Sequence, residues 1–203
     1  MNYKTIYQNK NIQRIKPNKL LFKIFPYRNP DDYFLDLGCG QGRDSLFMVK
    51  KGYKVIAVDR SNEDLKNIEK YLEGHNSLKE RIKLFCQDIT TFNIEKNKYE
   101  IINAFNSLQF LLKQDALQLI EKIKRGLKTG GYAIISSFTI NDPLYQRPIN
   151  QNKCFFKPLE LQKLFFDFKI IFYEEKIIAD APHLGYLKPH KHYIVEMIAQ
   201  RII

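Results

Sequence analysis

Residues 34–44 read Phe-Leu-Asp-Leu-Gly-Cys-Gly-Gln-Gly-Arg-Asp, and the rest of the chain is organised around them. The apolar run Tyr33–Leu37 predicts a short buried strand, and Arg43–Lys50 has the pattern of a helix. Three alternating glycines separate the two elements. Because a strand that turns sharply into a helix on glycines brings backbone N–H groups close to a ligand, this turn is a candidate binding site.

An acidic residue follows the next predicted strand. Lys54–Val58 is apolar and β-branched and ends directly before Asp59. In nucleotide-type sites, an acid about 20 positions beyond the glycine turn accepts hydrogen bonds from the ribose hydroxyls. The spacing therefore predicts a cofactor that carries a ribose.

The glycine spacing argues against a dinucleotide. A dinucleotide fingerprint needs glycines two and then three positions apart, but Arg43 stands where the third glycine would be. Asp36, just before the turn, would also repel a pyrophosphate. The pattern suits a cofactor without phosphate and with a positive charge, so it predicts S-adenosylmethionine, with S-adenosylhomocysteine as the product.

The glycine turn and Asp59 together resemble the first two motifs of the class I methyltransferases. Within that class, residues 36–46, Gly52-Tyr53 and a histidine-bearing loop before the last strand are similar to the small tellurite-resistance-type and thiopurine-type enzymes. The resemblance covers about residues 33–200. It implies a doubly wound α/β fold with helices on both faces of a seven-stranded, mostly parallel sheet. The implied strand order is 3-2-1-4-5-7-6, with the last strand antiparallel.

Hydrophobic periodicity gives the bounds of the elements. The predicted strands are Tyr33–Leu37, Lys54–Val58, Ile82–Cys86, Tyr99–Phe105, Tyr132–Phe138, Phe168–Tyr173 and Tyr193–Ile198. The predicted helices are Arg43–Lys50, a helix capped by Ser61 or Asn62 and running to about Glu73, Gln114–Leu127 and Leu159–Asp167. Loops are expected at residues 74–77 and 174–192. We expect one domain, residues 1–203, with a basic arm at 1–30 and an irregular insert at 139–158 that contributes to a substrate lid.

The resemblance and the strand ends also predict the cofactor contacts. Asp36 is expected near the amino group of the cofactor, and Arg60 and Asp88 near its adenine. The full set is Asp36, Gly38, Gly40, Gly42, Arg43, Asp59, Arg60, Asp88, Ile89, Asn103 and Phe105. Structural alternatives stay open for some of these acids: Asp36 and Asp44 would also favour the adjacent helix N-terminus, and Asp88 suits a surface turn.

The acceptor is less well defined by the sequence. Methyl transfer is an in-line displacement that needs alignment and exclusion of water more than acid–base groups, and no catalytic base is evident. Residues 103–107 read Asn-Ala-Phe-Asn-Ser and lack the Asn/Asp-Pro-Pro-Tyr motif of enzymes that methylate base amino groups. The resemblance implies a small acceptor, either anionic or a thiol or chalcogen. The family's His-Arg pair has no clear counterpart here, so its substrate cannot be carried over.

Four residues are candidates for the acceptor pocket: Tyr7, Asn106, His183 and His190. His190 and His192 are two positions apart, so on a strand they would share a face. A metal site would need a third ligand, and none is evident at a suitable spacing, so we expect none. Ordinary loop positions are the alternative for these histidines.

Charge leaves a second function open. The net charge is +11, and residues 1–30 hold seven Lys or Arg and no acid. With its interleaved aromatics, this arm suits weak nucleic-acid binding, so a tRNA or rRNA methyltransferase is the alternative. A lysine-rich composition or simple packing of the arm on the sheet would also explain it. A cofactor-binding partner protein without transfer activity is a third possibility.

Composition bounds the remaining properties. The apolar fraction of 44% indicates a globular chain. The sequence contains no run of about 18 uncharged apolar residues, so no membrane span is predicted. The N-terminus lacks the apolar core of a secretory signal. Three separated cysteines form neither a metal-type pair nor a disulfide framework, which fits a reducing cytoplasm. Nothing in the sequence indicates an oligomeric state.

Overall fold

The computed structural model describes residues 16–24, 31–180, 182 and 188–203. Within these residues, seven strands form one sheet in the order β3-β2-β1-β4-β5-β7-β6. The strands are β1 Tyr33–Leu37, β2 Lys54–Asp59, β3 Ile82–Cys86, β4 Tyr99–Phe105, β5 Leu127–Phe138, β6 Phe168–Asp180 and β7 His190–Arg201. The predicted sheet order is confirmed.

The direction of the strands also follows the prediction. β1 pairs in parallel with β2 and β4, and the parallel ladder continues to β3 on one side and to β5 on the other. β7 runs antiparallel to both β5 and β6, between which it lies. The order of the strands reverses between β1 and β4, so the carboxyl ends of these two strands border the crevice where ligands bind in open α/β sheets.

Six α-helices lie within the described residues. They are α1 Lys19–Ile24, α2 Arg43–Lys50, α3 Asn62–Leu72, α4 Asn76–Lys79, α5 Lys113–Gly126 and α6 Glu160–Leu164. As predicted, Ser61 caps α3, because its hydroxyl accepts the Asp64 N–H at 3.3 Å. The prediction of a loop at residues 74–77 is wrong in part: the His75 carbonyl accepts the N–H groups of Leu78 and Lys79, which closes the single turn of α4.

Strand β5 and the β6–β7 hairpin are longer than predicted. β5 begins at Leu127, five residues early, and its pairing with β4 shifts register before Tyr132. The loop predicted at residues 174–192 is wrong over much of its length, because the β6–β7 ladder continues from Glu174 opposite Glu196 to Asp180 opposite His190. These added positions alternate between exposed and half-buried side chains, so they lack the apolar run that predicts a strand.

Two hydrophobic clusters sandwich the sheet. One cluster packs the apolar faces of α5 and α6 on the sheet and includes Ala116, Leu119, Ile120 and Ile123 of α5. The other packs α1, α2 and α3 on the opposite face. The predicted helices on both faces are therefore present. No helix among the described residues is both long and apolar enough to cross a membrane.

Because α3 packs closely against the glycine turn, adding one methyl group at Gly42 should lower the stability of the protein. Gly42 has φ +78°, and a Cβ on it would lie 2.6 Å from Cδ1 of the fully buried Ile68. We expect Gly42→Ala to lower the free energy of unfolding by about 1–3 kcal/mol in denaturant titrations, because it adds backbone strain to overpacking.

Gly74→Ala is the matched control. Gly74 does not have a positive φ, and a Cβ on it would meet no atom of the described part of the chain within 4 Å. Its free energy of unfolding is expected to stay within about 0.5 kcal/mol of wild type. Equal losses in the two variants would contradict the assignment of Gly42 to this contact.

Candidate functional site

The glycine turn after β1 is fastened to the end of β2. The N–H groups of Gly38 and Cys39 donate to the Val58 carbonyl at 2.8 and 3.1 Å, and the Gly40 N–H donates to Oδ2 of Asp59 at 2.8 Å. The other carboxylate oxygen of Asp59 accepts the Ser61 N–H at 2.8 Å. Asp59 thus fixes both the turn and the start of α3. Since an ionised carboxylate offers about four acceptor positions, it can still receive donors from a ligand.

Gly40 presents bare backbone to open space. Its φ is +51°, and a Cβ added there would meet none of the described residues within 4 Å. A Cβ on Gly38, by contrast, would lie 2.7 Å from Cβ of Ser107. Gly38 is therefore required by packing between the turn and the exit of β4, whereas Gly40 leaves room for a ligand to approach the main chain.

A buried polar network lies directly behind the turn. Asp36, which is 2% exposed, accepts hydrogen bonds from Ser45 Oγ at 2.6 Å and from Asn103 Nδ2 at 2.9 Å. The same amide nitrogen of Asn103 lies 3.2 Å from Oδ2 of Asp44. Asn103 therefore connects two buried carboxylates, and it belongs to the support of the site and not to its open surface.

The basic arm completes this network. The backbone N–H and the side-chain amide of Asn18 donate to the two oxygens of Asp44 at 2.8 and 2.7 Å. Arg43 pairs with the same carboxylate at 3.0 Å and lies over the ring of Phe105. Asp44 therefore does more than favour the N-terminus of α2.

The roles of Asn18 and Ser45 in the polar network were not predicted from the sequence. The Asn18 side chain also accepts the N–H groups of Leu20 and Leu21, so it is the N-cap of α1. The Asn before an apolar run is a recognised capping signal and could have located the helix. Neither residue carries a signal for its contact with a carboxylate, because that contact forms only in the folded chain.

The network has a distinct electrostatic character. Burial, and secondly the nearby charge of Asp44, raise the pKa of Asp36 to about 7, while hydrogen bonds from Ser45 and Asn103 act in the opposite direction. Because the guanidinium of Arg43 pairs with Asp44, the net charge beside the turn depends on whether Asp36 is ionised. A positively charged group at this position would favour the ionised form of Asp36.

The ends of β2 and β3 carry the residues predicted for the adenine. Arg60 and Asp88 are exposed, and Ile89 is buried. Hydrogen bonds from the Thr90 hydroxyl and N–H, both to Oδ1, lower the pKa of Asp88. Asp88 is thus a turn residue, as the structural alternative proposed, and it also borders the carboxyl edge of the sheet beside Asp59.

The exit of β4 brings further polar groups to the turn. Asn106 has φ +56°, is exposed, and accepts a hydrogen bond from Ser136 Oγ at 2.8 Å. Next to it, Ser107 Oγ is buried and has no hydrogen-bond partner among the described residues. An orphaned hydroxyl costs free energy, so this oxygen is a weak point in the packing between the glycine turn and the exit of β4.

Two of the four acceptor-pocket candidates, Asn106 and His190, lie within the described residues. Tyr7 and His183 lie outside the described residues, as does most of the basic arm. Asn106 lies beside β5. His190, the first residue of β7, contacts His192, which in turn is hydrogen-bonded to Asp142 of the 139–158 insert at 2.9 Å.

Comparisons with known proteins agree with this geometry. A family model described as "Tellurite resistance protein TehB" matches residues 29–181. A carboxy-S-adenosyl-L-methionine synthase of Psychromonas ingrahamii is 32% identical over 162 residues, which are 77% of this chain and 66% of that protein. A probable S-adenosyl-L-methionine-dependent methyltransferase TehB of Haemophilus influenzae is 28% identical over 144 residues, which are 70% of this chain and 48% of that protein.

A solved structure extends the comparison to three dimensions. The crystal structure of TehB from Haemophilus influenzae matches with a TM-score of 0.71 and 26% identity, covering 84% of this chain and 58% of that one. The chain spans about half to two thirds of the length of these relatives.

The raised pKa of Asp36 predicts how stability depends on pH. An unfolded Asp releases its proton near pH 4, whereas folded Asp36 holds it to about pH 7. Between these values the folded state binds more protons, so this group makes stability fall as pH rises. We expect the thermal midpoint of the ligand-free protein to fall from about pH 5 to about pH 8, and less steeply in Asp36→Asn.

Asp88→Asn is the control for this titration. The pKa of Asp88 is lowered, so its contribution is lost only as pH falls towards the acid range, and it should not alter the slope above about pH 5. The interpretation fails if Asp36→Asn has the same slope as wild type across this range.

Proposed function

The chain belongs to the TehB family of tellurite resistance proteins, and from that premise we propose that it transfers a methyl group from S-adenosylmethionine to a small acceptor. One observation carries the proposal: the open backbone at Gly40, held by Asp59, adjoins the buried carboxylates of Asp36 and Asp44. This combination suits a ribose-bearing cofactor that is positively charged and has no phosphate.

Each part of the site has a proposed role. The carboxylate of Asp59 accepts hydrogen bonds from the ribose hydroxyls in addition to those it receives from the main chain. Arg60, Asp88 and Ile89 border the adenine, and the turn at Gly38 and Gly40 receives the methionine part. Asp36 acts on the amino group through the negative charge of its ionised form, since its own side chain is almost fully buried.

The chemistry demands little of the protein beyond positioning. The sulfonium, when bound, supplies an activated methyl group: the acceptor's electron pair forms a bond to the methyl carbon as the carbon–sulfur bond breaks, leaving S-adenosylhomocysteine. The chain has to align the acceptor with that bond and exclude water. No general base is evident among the described residues of the site, so we expect an acceptor that arrives as a nucleophile, such as a thiolate or a chalcogen oxyanion.

The 139–158 insert is the proposed wall of the acceptor pocket. It is joined to the carboxyl edge of the sheet, because the Phe156 N–H donates to the Phe138 carbonyl and the Ile140 N–H donates to the Phe156 carbonyl, both at 3.0 Å. Phe138, Leu144, Phe155 and Ile194 form a separate hydrophobic cluster there. An apolar wall at this edge would shield the transfer from water.

The alternatives receive less support. Leu20, Leu21 and Ile24 of the arm are buried in the cluster between the sheet and its helices, and Asn18 seals the polar network. The described part of the arm therefore acts as a cover, which weakens the case for tRNA or rRNA as the acceptor. The intact turn and Asp59 argue against a partner protein without activity.

Calorimetric titration with S-adenosylmethionine and S-adenosylhomocysteine tests the cofactor. We expect micromolar dissociation constants for wild type and at least about tenfold weaker binding by Asp59→Asn, which keeps one acceptor oxygen for the main chain. Asp167→Ala is the control, because Asp167 is exposed just before β6, at the opposite edge of the sheet. No binding by folded wild-type protein would refute the proposal.

A second assay addresses the acceptor and the product. Thiols, chalcogen oxyanions and tRNA are incubated with methyl-labelled cofactor, and released S-adenosylhomocysteine is measured; we expect release with the small nucleophiles. Mass spectrometry of the ligand that copurifies distinguishes this activity from that of the carboxy-S-adenosyl-L-methionine synthases. Recovery of a carboxylated cofactor would contradict methyl transfer as the function.

A further inference from the structure

Three side chains with metal-binding atoms meet at the tip of the β6–β7 hairpin. Asp180 ends β6, and His190 and His192 lie at the start of β7; one ligand atom from each lies within 4.8 Å of the others. We propose that this cluster, Asp180–His190–His192, binds a divalent first-row transition metal, with Zn²⁺ the foremost candidate. The proposal goes beyond the proposed function and does not depend on the cofactor site.

Strand register creates the cluster. Asp180 is paired directly with His190, and Ile178 is paired with His192. Directly paired residues of antiparallel strands share a face, and so do residues two apart on one strand. Asp180 is therefore opposite one histidine and diagonal to the other. The sequence showed the two histidines, but the third ligand becomes visible only in the pairing of the strands.

The partners of the two rings fix their tautomers. Nδ1 of His190 lies 3.2 Å from the Lys188 carbonyl oxygen, and Nδ1 of His192 lies 2.9 Å from Oδ2 of Asp142. A carbonyl or carboxylate oxygen can only accept, so we infer that both Nδ1 atoms carry the hydrogen. With Nδ1 turned to these oxygens, each ring presents its Nε2 to the other, and the two Nε2 atoms are 3.0 Å apart. Two nitrogens at that distance can share one cation, either a proton or a metal ion.

The distance suits a shared metal ion. Two nitrogens bound at about 2.1 Å are about 3.4 Å apart in a tetrahedral arrangement and about 3.0 Å apart in an octahedral one. Two imidazoles and one carboxylate form a ligand set that favours Zn²⁺ or a neighbouring transition metal over Mg²⁺ or Ca²⁺. Three protein ligands leave further coordination positions for water.

The buried side of the cluster is already organised. His192 is 5% exposed and stacks on Phe138, with ring centroids 4.8 Å apart. Asp142 is fully buried and also accepts the N–H groups of Leu144 and Tyr193, each at 2.9 Å. A carboxylate that orients the distal nitrogen of a metal-bound histidine is a recurring feature of such sites. Asp142 is therefore assigned as a positioning residue.

Metal titration of the full-length, chelator-treated protein tests the proposal. We expect ZnCl₂ to bind with a stoichiometry of one in calorimetry, and CoCl₂ to produce visible absorption bands typical of a nitrogen- and oxygen-ligated ion. Asp180→Asn and His190→Ala, both at partly exposed positions, should each weaken binding by at least about tenfold. Asp142→Asn should weaken binding by about 10–100-fold and alter the cobalt spectrum while all three ligands remain.

His75→Ala is the matched control. His75 is exposed, stacks on Tyr71 and lies at the start of α4, away from the cluster, so its variant should bind the metal as wild type does. Circular dichroism of every variant separates lost ligands from lost folding. Because the titrations contain no S-adenosylmethionine, they are independent of the test of methyl transfer.

Two results would overturn the metal site. If folded wild type binds neither Zn²⁺ nor Co²⁺, a proton is the cation shared by the two Nε2 atoms. If binding survives unchanged in both Asp180→Asn and His190→Ala, the metal lies elsewhere on the chain.

Discussion

Two carboxyl groups buried together impose the central constraint on this structure. Asp36 and Asp44 are both almost inaccessible, and an unpaired buried charge would cost several kcal/mol. Their partners come from three segments: Arg43 and Ser45 from α2, Asn103 from β4 and Asn18 from the segment before α1. Satisfying these groups ties the arm, the glycine turn and the switch point of the sheet into one unit.

Sequence alone predicted the elements in which local signals agree. The turn after β1 combines an apolar run, alternating glycines and a helical segment, and its bounds match the structure at Tyr33–Leu37 and Arg43–Lys50. Asp59 could be found because its distance from the glycines is fixed by one βαβ unit. The strand order, however, came from the family resemblance, since no local pattern specifies which strands are neighbours.

The features that the sequence did not predict depend on contacts between distant segments. Residues 174–180 of β6 are exposed or half-buried and four of the seven are charged, so their pairing with β7 has no periodic apolar signal. Asp142 lies within an irregular insert, yet it is fully buried against His192. Register and burial of this kind are properties of the tertiary structure, which is why the His192 partners and the Asn18 contact emerge only from it.

At the carboxyl edge of the sheet, the glycine turn and the Asp180–His190–His192 cluster are each held by an aspartate that binds main-chain N–H groups. The two regions are too far apart to share one chemical step. Asp59 joins the main chain of two segments, and Asp142 does the same for the insert and β7. Asp36 is paired with Asn103 on the parallel strand β4, so Gly38, two residues later, is level with Phe105. Phe105 is paired with Ser136, and Ser136 with Glu196, so Glu196 is also level with Gly38. His192 lies four residues further along β7. Strand spacings of about 4.8 Å and rises of about 3.3 Å per residue then place it roughly 20 Å from the glycine turn. A metal ion there would brace the hairpin, and it would not coordinate the cofactor.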